Sequence, residues 1–109
     1  MSKYGSTKCV ARDGTKFPSK RECARYEDLL LLVKLGEVSD LRIQVSYELI
    51  PKQRGGKRHE RAVSYVADFV YRDKADVLHV EDAKGFRTKD YVIKRKLLLW
   101  VHGIAIEEV

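Results

Sequence analysis

Cysteine, proline and long apolar runs are scarce in this sequence, and each scarcity argues against a class of protein. The two cysteines, Cys9 and Cys23, have neither a metal-ligand spacing such as CxxC nor the density of a disulfide framework. No apolar run approaches the roughly 20 residues of a membrane-spanning helix, and no signal peptide is recognised at the start. Only two prolines and a hydrophobic fraction of 44% favour a compact fold over a disordered arm. A reduced, cytoplasmic protein that does not enter the membrane is therefore expected.

The 109 residues of the chain suffice for one domain, 1–109, and leave no length for a second.

The chain is also basic. Lysine and arginine outnumber aspartate and glutamate by 22 to 16, so the formal charge is +6. The basic residues gather in the N-terminal quarter, around Gly55 and Gly56, and over residues 87–96. Such an excess favours a polyanionic partner, although the solvated surface of an ordinary basic protein is the alternative.

The order of helix and strand signals predicts an α/β domain of the type αβββαβ. Residues 1–8 are expected to be a loose basic tail, residues 8–17 a small hairpin and residues 53–60 a polar loop. Helices are predicted over 20–35 and 89–102, and strands over 41–50, 61–72, 77–84 and 104–106. Short links predict an antiparallel meander, and the strand–helix–strand ending predicts a last strand parallel to the third. The expected result is a four-stranded mixed β-sheet flanked by two helices, with Trp100 in the core.

Two aspartates interrupt apolar, β-branched segments of the predicted sheet. Asp68 lies within residues 65–71 and Asp82 within residues 77–85. Because strand side chains alternate between faces, Asp82 and Lys84 project from the same side, and Glu81 from the other. If the two strands pair, the carboxylates meet, and like charges that close destabilise the fold unless a cation neutralises them. The simpler alternatives are an exposed strand acid for Asp68 and a surface ion pair between Asp82 and Lys84.

Glu22 is the third candidate acid. A capping box with Ser19 explains it without any further function. However, it shares a helical stripe with the apolar Tyr26 and Leu29, which points it toward the sheet edge. Three acids and an amine that converge predict a divalent metal site, and hard oxygen ligands suit Mg²⁺ or Mn²⁺ rather than zinc. A site that can hold a divalent cation and a water molecule beside a phosphate group is typical of a metal-dependent phosphodiesterase.

Five segments carry a resemblance to a known family. They are residues 17–26, 49–51, 65–69, 80–85 and 94–97, with Thr88 ahead of the last. Together they resemble a PD-(D/E)XK nuclease, the superfamily of many restriction enzymes and Holliday-junction resolvases. The resemblance is closer to a family of short phage and prophage proteins catalogued as a domain of unknown function, and it covers nearly the whole chain. Ala67 stands where the motif's name has proline, and Asp82 occupies its D/E position.

The resemblance implies a role for each matched residue. Asp68 and Asp82 correspond to the metal-binding acids, with the backbone carbonyl of Ala83 as a further ligand. Lys84 corresponds to the lysine that orients or activates the attacking water. Glu22 matches the helix acid, which reaches the metal directly or through water. Gln44 recurs in the resembling proteins, which favours a hydrogen-bonding role for it.

The basic clusters supply the candidates for DNA contact, which are Arg54, Lys57, Arg58, Lys94 and Lys96.

These expectations predict a Mg²⁺-dependent DNA endonuclease, phage-encoded and acting in the bacterial host cytoplasm on branched or replicating DNA. A homodimer is a further expectation, because resolvases often cut two strands symmetrically as pairs. One alternative is a non-catalytic DNA-binding module that keeps the nuclease fold and its basic surface. Another is a small protein-interaction subunit whose acids are surface charges.

Overall fold

A computed structural model of the chain describes residues 8–83 and 85–109. Residues 1–7 of the predicted tail, and the candidate residue Lys84, lie outside the described residues. The elements are β1 (Cys9–Val10), β2 (Lys16–Phe17), α1 (Lys20–Lys34), β3 (Val38–Ile50), β4 (Gln53–Gly55), β5 (Arg58–Glu60), β6 (Val63–Asp73), β7 (Leu78–Asp82), α2 (Lys89–His102) and β8 (Glu107–Glu108). None of the described helices is long and apolar enough to cross a membrane.

The central sheet has four strands in the order β3-β6-β7-β8. The β3–β6 and β6–β7 pairs are antiparallel, and the β7–β8 pair is parallel. The predicted α/β fold with a mixed sheet and two helices is therefore confirmed. In the β6–β7 register, Phe69 faces Glu81 and Val70 faces Val80. Continued by one residue, this register brings Asp68 and Asp82 to facing positions.

Both helices begin at a capping side chain. The Ser19 hydroxyl accepts from the backbone N–H of Glu22, and Thr88 does the same for Tyr91. These bonds satisfy N–H groups that have no partner within the helix, worth about 1 kcal/mol each. The second helix ends at Gly103, whose φ of 69° is readily adopted only by glycine. The capping signals thus predicted both helix starts correctly.

Two buried clusters hold the helices against the sheet. The cluster below α1 includes Phe17, Tyr26, Leu29, Phe69 and Tyr71. The cluster below α2 includes Leu49, Tyr65, Val80, Tyr91 and Leu98. A fully buried leucine stabilises the fold by roughly 1.5–3 kcal/mol, and Leu29 and Leu98 are both fully buried. These contacts place α2 against the part of the sheet where Asp68, in the middle of β6, and Asp82, at the end of β7, lie.

Three predictions about the chain were wrong. Residues 53–60 form a two-stranded hairpin rather than a loop, because a two-residue turn at Gly56 and Lys57 lets the flanking residues pair. The last strand is β8 rather than 104–106, since Ile104 and Ile106 pack against the α2 cluster instead. Trp100 is 84% exposed. It lies two positions beyond buried Leu98, which is about 200° around a helix, and so faces away from the core.

Candidate functional site

Asp68 is a half-buried residue in the middle of β6. Its Oδ2 accepts a hydrogen bond of 2.8 Å from the backbone N–H of Ala83, directly after the end of β7. Its Oδ1 lies 3.5 Å from Nε2 of Gln44 on β3. Gln44 has a left-handed backbone with φ of 53°, which costs a residue other than glycine about 1–3 kcal/mol. The Asp68 carboxylate therefore links three neighbouring parts of the sheet.

Asp82 is the last residue of β7 and is only 2% exposed. Its Oδ2 accepts a hydrogen bond of 2.6 Å from the hydroxyl of Tyr65. Burial, and then the hydrogen bond to Asp82, raise the pKa of Tyr65, so the phenol keeps its proton and remains a donor at neutral pH. A hydrogen bond to a carboxylate is shorter and stronger than one between neutral groups. Tyr65 thus holds the orientation of the Asp82 carboxylate.

Tyr65 was missed at the level of sequence, where it reads as an ordinary apolar strand residue. A signal was nevertheless present, because a buried tyrosine hydroxyl generally finds a hydrogen-bond partner. Only the fold identifies that partner, since Tyr65 and Asp82 are 17 positions apart in the sequence.

The two aspartates line one cavity of about 280 Å³ between the sheet and the start of α2. Tyr65 and Tyr91 contribute aromatic walls, while Asp90 and Lys94 contribute charged groups from α2. Sequence reasoning also missed Asp90, which lies in the first turn of α2, where a negative charge interacts favourably with the helix dipole. The cavity therefore combines carboxylates with a lysine ammonium.

Few of the described side chains that could bind a metal ion lie close together. Among the described residues, no three His, Cys, Asp or Glu side chains are gathered so that they could hold one metal ion. The acids that the sequence predicted and the cavity brings together are Asp68 and Asp82, and Ala83 follows directly in the chain. The predicted water-activating Lys84 lies outside the described residues.

Glu22 is not part of the cavity lining. Its Oε1 accepts a hydrogen bond of 3.1 Å from the Ser19 hydroxyl, which in turn accepts one of 3.2 Å from the Glu22 N–H. The N-cap half of the predicted capping box is thus formed, and the Glu22 carboxylate bonds the capping hydroxyl itself, which gives the glutamate a structural role at the helix start. A role toward a metal, direct or through water, stays a prediction.

Glu81 precedes Asp82 in the chain but belongs to a different environment. It is 1% exposed and receives two hydrogen bonds from Arg25, of 2.7 and 2.6 Å, and a further one from the Tyr71 hydroxyl. The hydrogen bond to Glu81 raises the pKa of Arg25. This partly buried pair ties α1 to β7, so the adjacent acids have different environments: Glu81 faces α1 and Asp82 faces the cavity.

Glu108 on β8 binds two arginines and a tyrosine that lie in α2 or just before it. It receives hydrogen bonds from Arg87, Tyr91 and Arg95, at distances between 2.5 and 3.1 Å. The bond from Arg87, followed by that from Tyr91, lowers the pKa of Glu108 to about 2. Arg87 and Arg95 are thus engaged at β8, whereas Lys94 lines the cavity.

The remaining candidates for DNA contact lie on the surface. Lys96 is exposed on α2 outside the cavity lining. Arg54, Lys57 and Arg58 are exposed on the β4–β5 hairpin. Of the five predicted contact residues, the cavity therefore includes Lys94.

The fold and the cavity define a small mixed α/β domain with a pair of aspartates at the junction of two central strands. The chain belongs to the family described as "Protein of unknown function (DUF1064)", whose model matches residues 1–102. No curated protein and no solved structure matches the chain. Membership of a family catalogued as a domain of unknown function is thus confirmed, and the wider superfamily stays a prediction.

Proposed function

We propose that this protein is a metal-dependent phosphodiesterase of the PD-(D/E)XK superfamily that cuts DNA. The observation that carries the proposal is the shared cavity of Asp68, Asp82 and Lys94. Two carboxylates that face one cavity can share a divalent cation, which would offset the repulsion between their charges. The lysine that lines the same cavity, Lys94, suits a phosphate group. The formal charge of +6 adds a general attraction for a polyanion.

The donor set fits Mg²⁺ or Mn²⁺. Magnesium is commonly bound through one or two carboxylates and completes its shell with water and substrate phosphates, so a third side-chain ligand is not required. Asp68 and Asp82 would hold the ion, with the backbone carbonyl of Ala83 as a further oxygen ligand. When bound, the ion would supply Lewis-acid stabilisation of the negative charge that builds on the phosphate.

The surrounding residues would keep the two carboxylates in place. The hydroxyl of Tyr65 orients Asp82, and the backbone N–H of Ala83 orients Asp68. Such supporting hydrogen bonds restrict the directions in which a ligand oxygen can point. Lys94 would contact a phosphate oxygen of the DNA. On the resemblance alone, Lys84 would orient or activate the attacking water, and Glu22 would reach the metal directly or through water.

The resemblance also carries the finer parts of the proposal. The protein would be phage-encoded and would act on branched or replicating DNA as a homodimer. Because phage DNA replicates in the bacterial host, a phage-encoded enzyme of this kind would act in the bacterial host cytoplasm.

The test is cleavage by the purified full chain. Junction, flap, single-stranded and duplex DNA are incubated with Mg²⁺ or Mn²⁺, for wild type and for Asp82→Asn, which keeps the side-chain shape. Asp28→Asn, an exposed aspartate on α1, is the matched control. We expect metal-dependent cleavage that is lost in Asp82→Asn and kept in Asp28→Asn. Cleavage that is equal in both variants, or absent on every substrate, would contradict the proposal.

The second candidate is a non-catalytic DNA-binding module. It is favoured by the small donor set, since no three metal-ligating side chains are gathered within the described part of the chain. Calorimetric titration with Mn²⁺ or Ca²⁺ separates the candidates, because the enzyme predicts heat that disappears in Asp82→Asn. Metal-independent binding with a steep salt dependence, about −0.9 in log K per phosphate contact, together with no turnover favours the binding module.

A further inference from the structure

We infer that residues 52–61, called here the basic hairpin, form an arm that enters the major groove of duplex DNA beside the acidic cavity. The inference rests on the proposed function in taking DNA as the partner. It goes further by naming double-stranded DNA as the form that is bound and a separate surface as the part that binds it.

The basic hairpin is built as a free-standing ribbon. β4 and β5 pair only with each other, as a two-stranded sheet distinct from the central one. Every residue from 51 to 62 is exposed. The hairpin strands contain no large apolar side chain that could be buried elsewhere on the protein. An isolated hairpin is only marginally stable in water, so a partner would also stabilise its conformation.

The positive charge of the basic hairpin favours a polyanion as its binding partner. Five basic residues and one acidic residue occur in residues 52–61, so this short segment has a net charge of +4 of the total +6. The cations are distributed over the whole ribbon. Arg54 pairs with His59 and therefore shares one face with it, whereas Arg58 shares the other face with Gln53. Lys57 lies in the turn at the tip.

The dimensions match the major groove. Paired strands lie about 4.8 Å apart, and three residues per strand extend for about 10 Å. The major groove of B-form DNA is about 12 Å wide and about 8.5 Å deep, and it admits a two-stranded ribbon. Cations on both faces of the ribbon would then meet the phosphates on both walls. The major groove of A-form RNA is too narrow for the same insertion.

The position of the basic hairpin connects it to the cavity. Glu60 ends β5, and Ser64, four residues later, already lines the cavity with Asp68. Four residues span at most roughly 14 Å, which is less than half a turn of the DNA helix. A duplex held by the hairpin would thus pass close to the two aspartates.

Binding without cleavage tests the inference. Fluorescence anisotropy in EDTA compares wild type with the triple variant Arg54→Ser, Lys57→Ser and Arg58→Ser. The matched control removes the same charge toward the opposite end of β3, at exposed Lys34, Arg42 and Lys74. On a B-form duplex we expect the hairpin variant to bind at least about tenfold more weakly, with a salt slope shallower by up to about 2.7, and the control to change far less.

A second readout locates the contact. Guanine N7 lies in the major groove, so its protection from dimethyl sulfate reports occupation of that groove. Protection by wild type that disappears in the hairpin variant supports the inference. Equal losses in the hairpin and control variants, or equal losses on duplex DNA, single-stranded DNA and A-form RNA, would overturn it. If the triple variant does not fold, the single variant Lys57→Ser tests the inference instead. We expect it to reduce the slope of log K against log salt concentration by about 0.9.

The two proposals fail in different ways. Hairpin-dependent duplex binding without metal-dependent cleavage supports the arm and contradicts the nuclease. Metal-dependent cleavage of duplex DNA by a protein whose binding is the same in the hairpin and control variants supports the nuclease and overturns the arm.

Discussion

The hydroxyl of Tyr65 donates a hydrogen bond to the Asp82 carboxylate across 2.6 Å, and both side chains are buried. A residue of the hydrophobic core thereby orients a candidate metal ligand. Fold stability and the candidate site are coupled through this one bond, so a single substitution can test both.

Replacing Tyr65 with phenylalanine removes the donor and keeps the ring. We expect the free energy of unfolding to fall by about 1–3 kcal/mol, because a buried carboxylate loses a hydrogen bond. We also expect the affinity for Mn²⁺ to fall about 10–100-fold, as is usual when the support of a metal ligand is removed. Urea unfolding and calorimetry measure the two effects.

Tyr47→Phe is the control, since Tyr47 faces Tyr65 on the adjacent strand and is half-buried. It is expected to change both quantities far less. Equal effects of the two substitutions would show that the Tyr65 hydroxyl has no special relation to Asp82.

Replacing Glu22 with glutamine separates its capping role from a role toward a metal. Glutamine serves in a capping box, so we expect the free energy of unfolding to stay within about 0.5 kcal/mol of wild type. Loss of the negative charge is expected to reduce metal-dependent cleavage about 10–100-fold. Ser19→Ala is the reverse control, with about 1 kcal/mol lost and cleavage kept. Unchanged cleavage by Glu22→Gln would show that Glu22 takes no part in the metal-dependent reaction.

His79 should make stability depend on pH. Its Nε2 lies 2.8 Å from Asp73 and its Nδ1 2.7 Å from Glu107. The hydrogen bond to Asp73, aided by Glu107 and opposed by partial burial, raises the pKa of His79 above its usual 6.5. Since the folded state binds this proton more tightly than the unfolded state, the stabilisation is full below about pH 6.5 and is lost as pH rises through the raised pKa.

The measurement is urea unfolding at several pH values from about 6 to about 8.5. Wild type is expected to lose more stability over this range than His79→Gln. Parallel pH profiles for the two proteins would contradict a contribution from the His79 proton.

Truncation of Trp100 and truncation of Leu98 should change the free energy of unfolding by very different amounts. Trp100 is 84% exposed, so Trp100→Ala is expected to change the free energy of unfolding by no more than about 0.5 kcal/mol. Leu98 is fully buried, so Leu98→Ala is expected to cost about 2–5 kcal/mol. Thermal and urea unfolding of the two variants measure this. A large loss with Trp100→Ala would mean that the indole is buried in solution, either within the fold or against another molecule.

Local signals predicted the helices well because a helix is defined by nearby residues. The start of α1 at Ser19 and the whole of α2 between Thr88 and Gly103 follow from side chains within one turn of the helix ends. The sequence predicts a loop for the basic hairpin, because its strands lack the alternating apolar pattern that normally marks strands. The apolar neighbours of Trp100 predict a core position for it, but they do not reveal which side of the helix packs against the sheet.

The sequence alone determined the αβββαβ order, the basic charge, and the presence of Asp68 and Asp82 on two strands, because these depend on residue type and on short-range periodicity. The tertiary structure decided the rest. Strand register brings the two aspartates into one cavity, Arg25 neutralises Glu81, and Tyr65 contacts Asp82. These contacts join residues far apart in the chain, and their partners are set by how the sheet and helices pack rather than by any local pattern.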